Sequence, residues 1–281
     1  MSSTAPKDSL QTHYDAQVTA LQGGRFKDPF SFLGTHAYKN GYEIRVYLPA
    51  AKNVNIIIND KKVIAKRYNS SDLFIATSNE MPTQPYKCNI EYANSALCFY
   101  DEYSFASSLD TDAMYLFNEG SLEHAYKHLG AHFINQQGVD GVRFCVWAPN
   151  AASVSVIGEF NLWQANRHYM RFHPACDVWE LFIAGLQPDT CYKFSIVTQQ
   201  GDVLEKADPF AKRCEHPPKT GSIVWDDSHV WNDQNWMQQR ASKNNLQAPY
   251  SVYEVHLASW KRKVEENRSL SYFELADELV R

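Results

Sequence analysis

The sequence predicts a mostly β protein: two tandem β-sandwich modules, then the opening strand and helix of an α/β domain. Three observations carry this. From Gly141 to Trp163 the chain reads GVRFCVWAPNAASVSVIGEFNLW. Here Val142, Phe144 and Val146 alternate with Arg143, Cys145 and Trp147, the period of two expected of a strand. A near-copy, GYEIRVYLPAAKNVNII, runs from Gly41 to Ile57. After Pro249 the texture changes to YSVYEVHLASW, an apolar run, followed by an amphipathic helical pattern.

In the later copy Pro149-Asn150 breaks the first strand, because proline fixes φ and has no N–H to donate. A second strand follows, with Val154 and Val156 on one side and Ser153 and Ser155 on the other. The two read as neighbours in one antiparallel sheet with a wet and a dry face. The copies match at Gly41 and Gly141, Val46 and Val146, Pro49 and Pro149, Val54 and Val154, and Ile57 and Ile157. Further on, LFIA at Leu73 echoes LFIA at Leu181, Tyr86-Lys87 echoes Tyr192-Lys193, and Asp101-Glu102-Tyr103 answers Asp208-Pro209-Phe210. Ordered matches of this length signal a tandem duplication of whole modules.

Before the first copy, Leu10, Tyr14, Val18 and Leu21 recur at helical spacing, and Gly23-Gly24 stops the pattern, predicting a helix over Ser9–Leu21. Between the copies, Leu122 to Leu129 predicts a short helix ended by Gly130. His124 and His128 stand one turn apart there. A metalloprotease helix needs Glu directly after the first His, and Ala125 holds that place, so no metal is expected. After the second copy a polar stretch, DDSHVWNDQNWMQQRASKNNLQAP, predicts a linker with a short helix. Ser269-Leu270-Ser271 then offers an N-cap to a helix lined by Tyr272, Leu275, Ala276 and Leu279. The division that follows is 1–107 for an N-terminal module, 108–137 for a linking segment, and 138–226 for the second module. A linker over 227–248 and an α/β opening over 249–281 complete it.

Composition narrows the partners. A formal net charge of −5 with no basic stripe gives no attraction to nucleic acid or anionic membrane. No apolar run is long enough to span a bilayer. The six cysteines show no C-x-x-C spacing, and a cytoplasmic chain with reduced thiols is expected. Seven Trp and sixteen Tyr suit sheet cores and flat ligand platforms alike.

With these residues in view, GVRFCVWAPNAASVSVIGEFNLW, VWELFIAG, YKFSI and ADPFA resemble the family 48 carbohydrate-binding modules of α-glucan enzymes. The preceding DPFSFLGTH, the linking YLFNEGSLEHAYKHLGAH and the final YSVYEVHLASWKRK with SYFELADELV go further. They make nearly the whole chain resemble the amino-terminal part of bacterial 1,4-α-glucan (glycogen) branching enzymes, of glycoside hydrolase family 13. The resemblance implies two immunoglobulin-like sandwiches and the first β/α unit of an incomplete (β/α)8 barrel. It implies a retaining transfer of α-1,4-glucan chains onto 6-hydroxyls, with α-glucan as partner, no cofactor, and a monomer. The catalytic carboxylates of such enzymes sit at later barrel strands. No catalytic residue is therefore assigned, and the chain is expected to be truncated, catalytically incompetent and at most glucan-binding. A standalone glucan-binding regulatory protein and a fragment of a debranching hydrolase are the competing readings.

By the same resemblance Trp163 is a candidate sugar-stacking plate, Lys193 a candidate donor to sugar oxygens and Asn161 a further donor. Gly201-Asp202-Val203 stands where a second stacking Trp is expected, which predicts weak affinity. Trp147 and Trp179 are expected to pack, as are His256 and Trp260. The first copy has Asn59-Asp60-Lys61-Lys62 in place of GEFNLW, a charged hairpin that reads as a spacer without a glycan face. An orphaned α/β opening predicts a frayed, protease-sensitive tail.

Overall fold

Sequence alternation becomes sheet wherever both faces find cover. A computed structural model describes residues 5–280, with side chains from residue 13; the Leu10 side chain and Arg281 lie outside it. Helix α1 (Ala5–Gln22) ends at Gly23-Gly24, as its spacing predicts. It buries Tyr14, Val18 and Leu21 against Phe26, Phe32, Leu33, Tyr47, Leu73 and Tyr103.

The first module has seven strands: β1 (Gly34–Tyr38), β2 (Gly41–Tyr47), β3 (Asn53–Ile58), β4 (Lys61–Arg67), β5 (Leu73–Ser78), β6 (Lys87–Glu91) and β7 (Ala96–Tyr100). They run in the order β1-β2-β5-β4-β3-β6-β7. Strand β4 turns the corner. It pairs with β3 over Lys61–Ala65 and with β5 at Lys66 and Arg67, so the sheet curls onto itself. Ile44, Val46, Phe74 and Ala76 from one half then meet Val54, Ile56, Ile58, Cys88 and Ile90 from the other. Each such burial contributes about 1.5–3 kcal/mol for a large side chain. Asn59 and Asp60 join β3 to β4 with φ of 47° and 62°, the two positive values a two-residue hairpin turn of the right twist requires.

The second module comprises β8 (Gly130–Gln136), β9 (Val139–Trp147), β10 (Ala151–Gly158), β11 (Arg171–His173), β12 (Val178–Ala184), β13 (Cys191–Thr198), β14 (Val203–Lys206), β15 (Arg213–Cys214) and β16 (Ser222–Ile223). One sheet is β11-β12-β9-β8; the other is β10-β13-β16-β15, with β14 beside β13. Here the sequence reading needs correction. β9 and β10 are not sheet neighbours: they lie in opposite sheets, and Val142, Phe144 and Val146 face Val154 and Val156 across one core with Trp179, Tyr192 and Phe194. Nor is either outer face simply wet. Cys145 is covered by helix α2 (Thr111–Glu119) through Ala113 and Met114. Ser153 and Ser155 are 1% and 3% exposed, because Ser155 pairs with Tyr169 and the Ser153 hydroxyl donates to the Gly24 carbonyl at 3.1 Å.

Helix α2 also corrects the linking segment. Asp110 caps it through bonds to Asp112 N and Ala113 N, and left-handed Gly120 ends it. The predicted Leu122–Leu129 helix is only a 3-10 turn, Ala125–Lys127, since too few residues remain before Gly130. The segment is held by Glu180, which accepts from Ser108 N at 2.9 Å, from both Ser107 and Ser108 hydroxyls, and from His173 at 2.9 Å. Burial alone would raise this carboxyl; those donors outweigh it and hold it at about 2.

The duplication reaches single atoms. Gly34 and Gly130 have φ of 87° and 96°, and a Cβ on either would meet a carbonyl oxygen, of Tyr103 at 2.6 Å or Phe210 at 2.9 Å. His36 and His132 bond the carbonyls of Leu33 and Leu129 at 2.9 and 2.8 Å. Tyr86 donates to Asp101, and Tyr192 to Asp208. Each Tyr–Asp pair ties the segment after β7 or β14 back to the residue entering β6 or to β13.

Residues 228–280 form a separate unit. A helix, Gln234–Lys243, is followed by residues 250–256 without regular structure and a short helix, Leu257–Trp260. The predicted apolar barrel strand is thus not formed. A parallel strand makes its hydrogen bonds to flanking strands, and among the described residues none pairs with it. Locally, His256 Nδ1 lies 2.8 Å from Ser259 Oγ, and Trp260 donates to Tyr253 Oη at 3.0 Å. The helix Tyr272–Val280 does form. Glu274 accepts from Ser271 N at 2.8 Å and takes both Arg268 terminal nitrogens at 2.8 and 2.9 Å, a capping box braced by a forked ion pair.

Candidate carbohydrate-binding site

Strand β10 ends at Gly158, where there is room for nothing larger: a Cβ would lie 2.4 Å from the Cys191 carbonyl oxygen. The chain then makes a 3-10 turn, Glu159–Asn161, and passes through Leu162 and Trp163 with φ of 56° and 60°. Two bulky residues in the left-handed region cost about 1–2 kcal/mol each. Such strain persists only where the surroundings over-determine it.

Asn161 does most of the determining. Its Oδ1 accepts from Gly158 N at 3.0 Å, and its Nδ2 donates to the Val156 carbonyl at 2.9 Å and to His168 Nδ1 at 2.9 Å. The Trp163 amide donates to the Gly158 carbonyl at 2.9 Å, closing the loop. Asn161 is 1% exposed. This corrects its reading as a sugar donor: both ends of the amide hold the loop, and neither reaches solvent. Trp163, by contrast, is 39% exposed and Leu162 74%. Lys193 is half-buried on β13, opposite Ile157 of β10, and both point away from the core that Tyr192 and Phe194 enter. Thus the structure places Lys193 on the outer face of the strand pair from whose end the Trp163 loop springs.

Tight support from the first module was not visible in the sequence. Tyr103 Oη donates to the Arg167 carbonyl at 3.2 Å and accepts from Tyr169 N at 3.0 Å, bracketing His168. Arg167 donates to Tyr92 Oη at 3.2 Å. Glu102 Oε1 stands 3.9 Å from His168 Nε2. Burial, helped by the Arg167 charge, drops the imidazole to about 3, so it is neutral and this is no ion pair. Glu102 itself is pushed well above the ordinary carboxylate range by burial and by the neighbouring Asp101. The one signal was the departure of Glu102-Tyr103 from Pro209-Phe210 in the repeat.

Trp179 is fully buried and donates to the Ala148 carbonyl at 3.0 Å, as packing predicts, whereas Trp147 is 53% exposed beside Phe117. Gly201 has φ of 93° and, with Asp202, turns β13 into β14.

Known proteins match both modules in sequence. Residues 14–103 match the model of the α-1,4-glucan branching enzyme GlgB N-terminal domain. Residues 128–211 match that of carbohydrate-binding module 48, the isoamylase N-terminal domain. The chain thus matches, in order, the amino-terminal modules of glucan branching enzymes. The 1,4-α-glucan branching enzyme GlgB of Shewanella baltica (strain OS223) is 42% identical over 275 residues, 95% of this chain and 37% of its own length. That of Saccharophagus degradans is 42% identical over 269 residues, 94% and 37%. The chain therefore spans 37% of the length of these branching enzymes. Among solved structures, a pullulanase from Anoxybacillus sp. LM18-11 aligns over 70% of this chain and 29% of its own, with TM-score 0.31 and 13% identity; a likeness that slight carries no weight. No helix among the described residues is long and apolar enough to cross a membrane.

Proposed function

We propose that this chain is the glucan-binding front of a 1,4-α-glucan branching enzyme, and that it binds α-glucan without itself breaking a glycosidic bond. The whole enzyme would move α-1,4 chains onto 6-hydroxyls by retaining chemistry. These modules would hold the polymer during transfer. One observation carries the reading: an exposed Trp163 on a strained loop, fixed by the buried Asn161–His168 contact, in a stretch that matches a carbohydrate-binding module. A rigid indole suits the apolar C–H face of a pyranose, and Lys193, on the strand pair from whose end that loop springs, can donate to ring hydroxyls. Six free thiols fit the reducing cytoplasm, where we place the protein as a monomer.

Electrophoresis through gels containing glycogen tests this. Retardation of the 281-residue chain, reduced about tenfold in apparent affinity by Trp163→Ala, is expected. Unchanged retardation of that variant would remove Trp163 from the site.

A further inference from the structure

We propose that the first module holds a second α-glucan site, at the place that corresponds to the Trp163–Lys193 face of the second. The proposal rests on the reading of that face as glucan-binding and extends it to the other copy. Strand pair β3–β6 repeats β10–β13 in register: Ile57 lies opposite Lys87, as Ile157 lies opposite Lys193. The preceding Tyr86 and Tyr192 each enter their core and bond an aspartate, so Lys87 and Lys193 leave their sheets on the same outer side.

What differs is the cover. In the second module residues 159–170 run from β10 over toward β11. In the first, the same connection is the two-residue turn Asn59-Asp60. With no loop across it, the outer face opens as a groove of about 650 Å³, within the size range of small-ligand clefts. Its lining has the chemistry a glucan uses. Ile57 and the Tyr100 ring offer apolar surface; Asn59, Asp60, Gln84 and Lys87 offer donors and acceptors for hydroxyls. Tyr100 comes from β7, where it pairs directly with Lys87, whose ammonium sits 4.7 Å from the ring centre. The aromatic surface that the hairpin sequence lacks is therefore supplied by the next strand. Asn59 is already oriented, its Oδ1 accepting from Thr83 Oγ1 at 3.0 Å.

Two sites on one chain make binding to a polymer bivalent, so each should raise the apparent affinity for glycogen well beyond its own strength. The test is glycogen-gel electrophoresis of the full chain carrying Lys87→Ala with Gln84→Ala, Tyr100→Ala, Trp163→Ala, and the combination of Lys87→Ala, Gln84→Ala and Trp163→Ala. Thermal midpoints establish that each is folded. Loss of about tenfold in apparent affinity for the Lys87/Gln84 pair, and of all retardation for the combination, is expected. Should Tyr100→Ala not fold, the Lys87/Gln84 pair still decides. Maltoheptaose should also slow modification of the Lys87 amine by an amine-reactive reagent. Wild-type retardation in the Lys87/Gln84 variant, with no protection of Lys87, overturns the site. Loss in that variant with full binding by Trp163→Ala would keep this site and remove the Trp163 assignment. Absence of any glycogen retardation of the wild-type chain overturns both.

Discussion

Asn161 Nδ2 lies 2.9 Å from His168 Nδ1, and that contact settles which way both side chains are turned. The amide orientation is fixed by Gly158 N–H, which needs an acceptor, and by the Val156 carbonyl, which needs a donor. Nδ2 therefore gives a hydrogen to Nδ1, and the imidazole proton sits on Nε2, toward Glu102. A loop carrying an exposed indole is thus held by one neutral histidine, which faces a carboxyl of the first module at 3.9 Å.

Asn161→Ala removes three hydrogen bonds from a buried site, and a loss of about 2–3 kcal/mol is expected from denaturant titration. Glycogen binding should weaken with it, although Asn161 cannot touch a ligand. His168→Gln keeps an acceptor for Nδ2 and should recover much of the binding that His168→Ala loses. Equal loss in both histidine variants would count against the tie.

Trp163→Ala should separate the two roles. Its side chain is partly exposed and its loop is held by the backbone and Asn161, so stability should change by less than about 0.5 kcal/mol while glucan affinity falls. A large drop in thermal midpoint would recast Trp163 as a plug for the sheet end.

Glu102 gives a pH dependence with a definite sign. Its folded-state pKa is raised above the ordinary 4.5 by burial and by Asp101. The stability contributed by its proton is complete below 4.5 and is lost as pH rises through the folded value. Glu102→Gln mimics the protonated form. Its stability advantage over the wild type should therefore grow between about pH 5 and pH 9. Parallel stability curves would show that Glu102 is not protonated in the fold.

Glu180 has the opposite sign. Its pKa is depressed from 4.5 to about 2 by donors that outweigh its burial, so its contribution is present above 4.5 and lost as pH falls through 2. Glu180→Ala strands buried donors from Ser107, Ser108 and His173. A cost of about 3 kcal/mol is expected, with faster proteolysis around residues 106–110.

The repeat and the strand alternation were legible because each depends on residues close in sequence: Val142, Phe144 and Val146 could be assigned to a core without knowing what faced them. Which strand faced them was not legible, since β9 and β10 are adjacent in the chain but belong to opposite sheets. Ser153 and Ser155 look like a wet face in sequence and are buried because α1's following loop and Tyr169 lie over them. Asn161 reads in sequence as a donor to sugar but is turned inward, because its partners, Gly158 N–H and His168, are set by a turn that composition does not reveal. The apolar run at Tyr250–His256 has the pattern of a buried strand, but a pattern supplies no hydrogen-bond partners.

Tyr169 is the residue whose backbone belongs to one module and whose ring belongs to the other. Its amide is bound by Tyr103, its hydroxyl reaches the Leu21 carbonyl, and its fully buried ring packs with Tyr14, Phe26 and Phe32. Neither sandwich can open without emptying that socket, so the joint is not a hinge. Heating should melt both copies in one calorimetric transition, whose calorimetric and van't Hoff enthalpies agree over the unit ending at Asp227. Two copies of one pattern would then share a single act of unfolding.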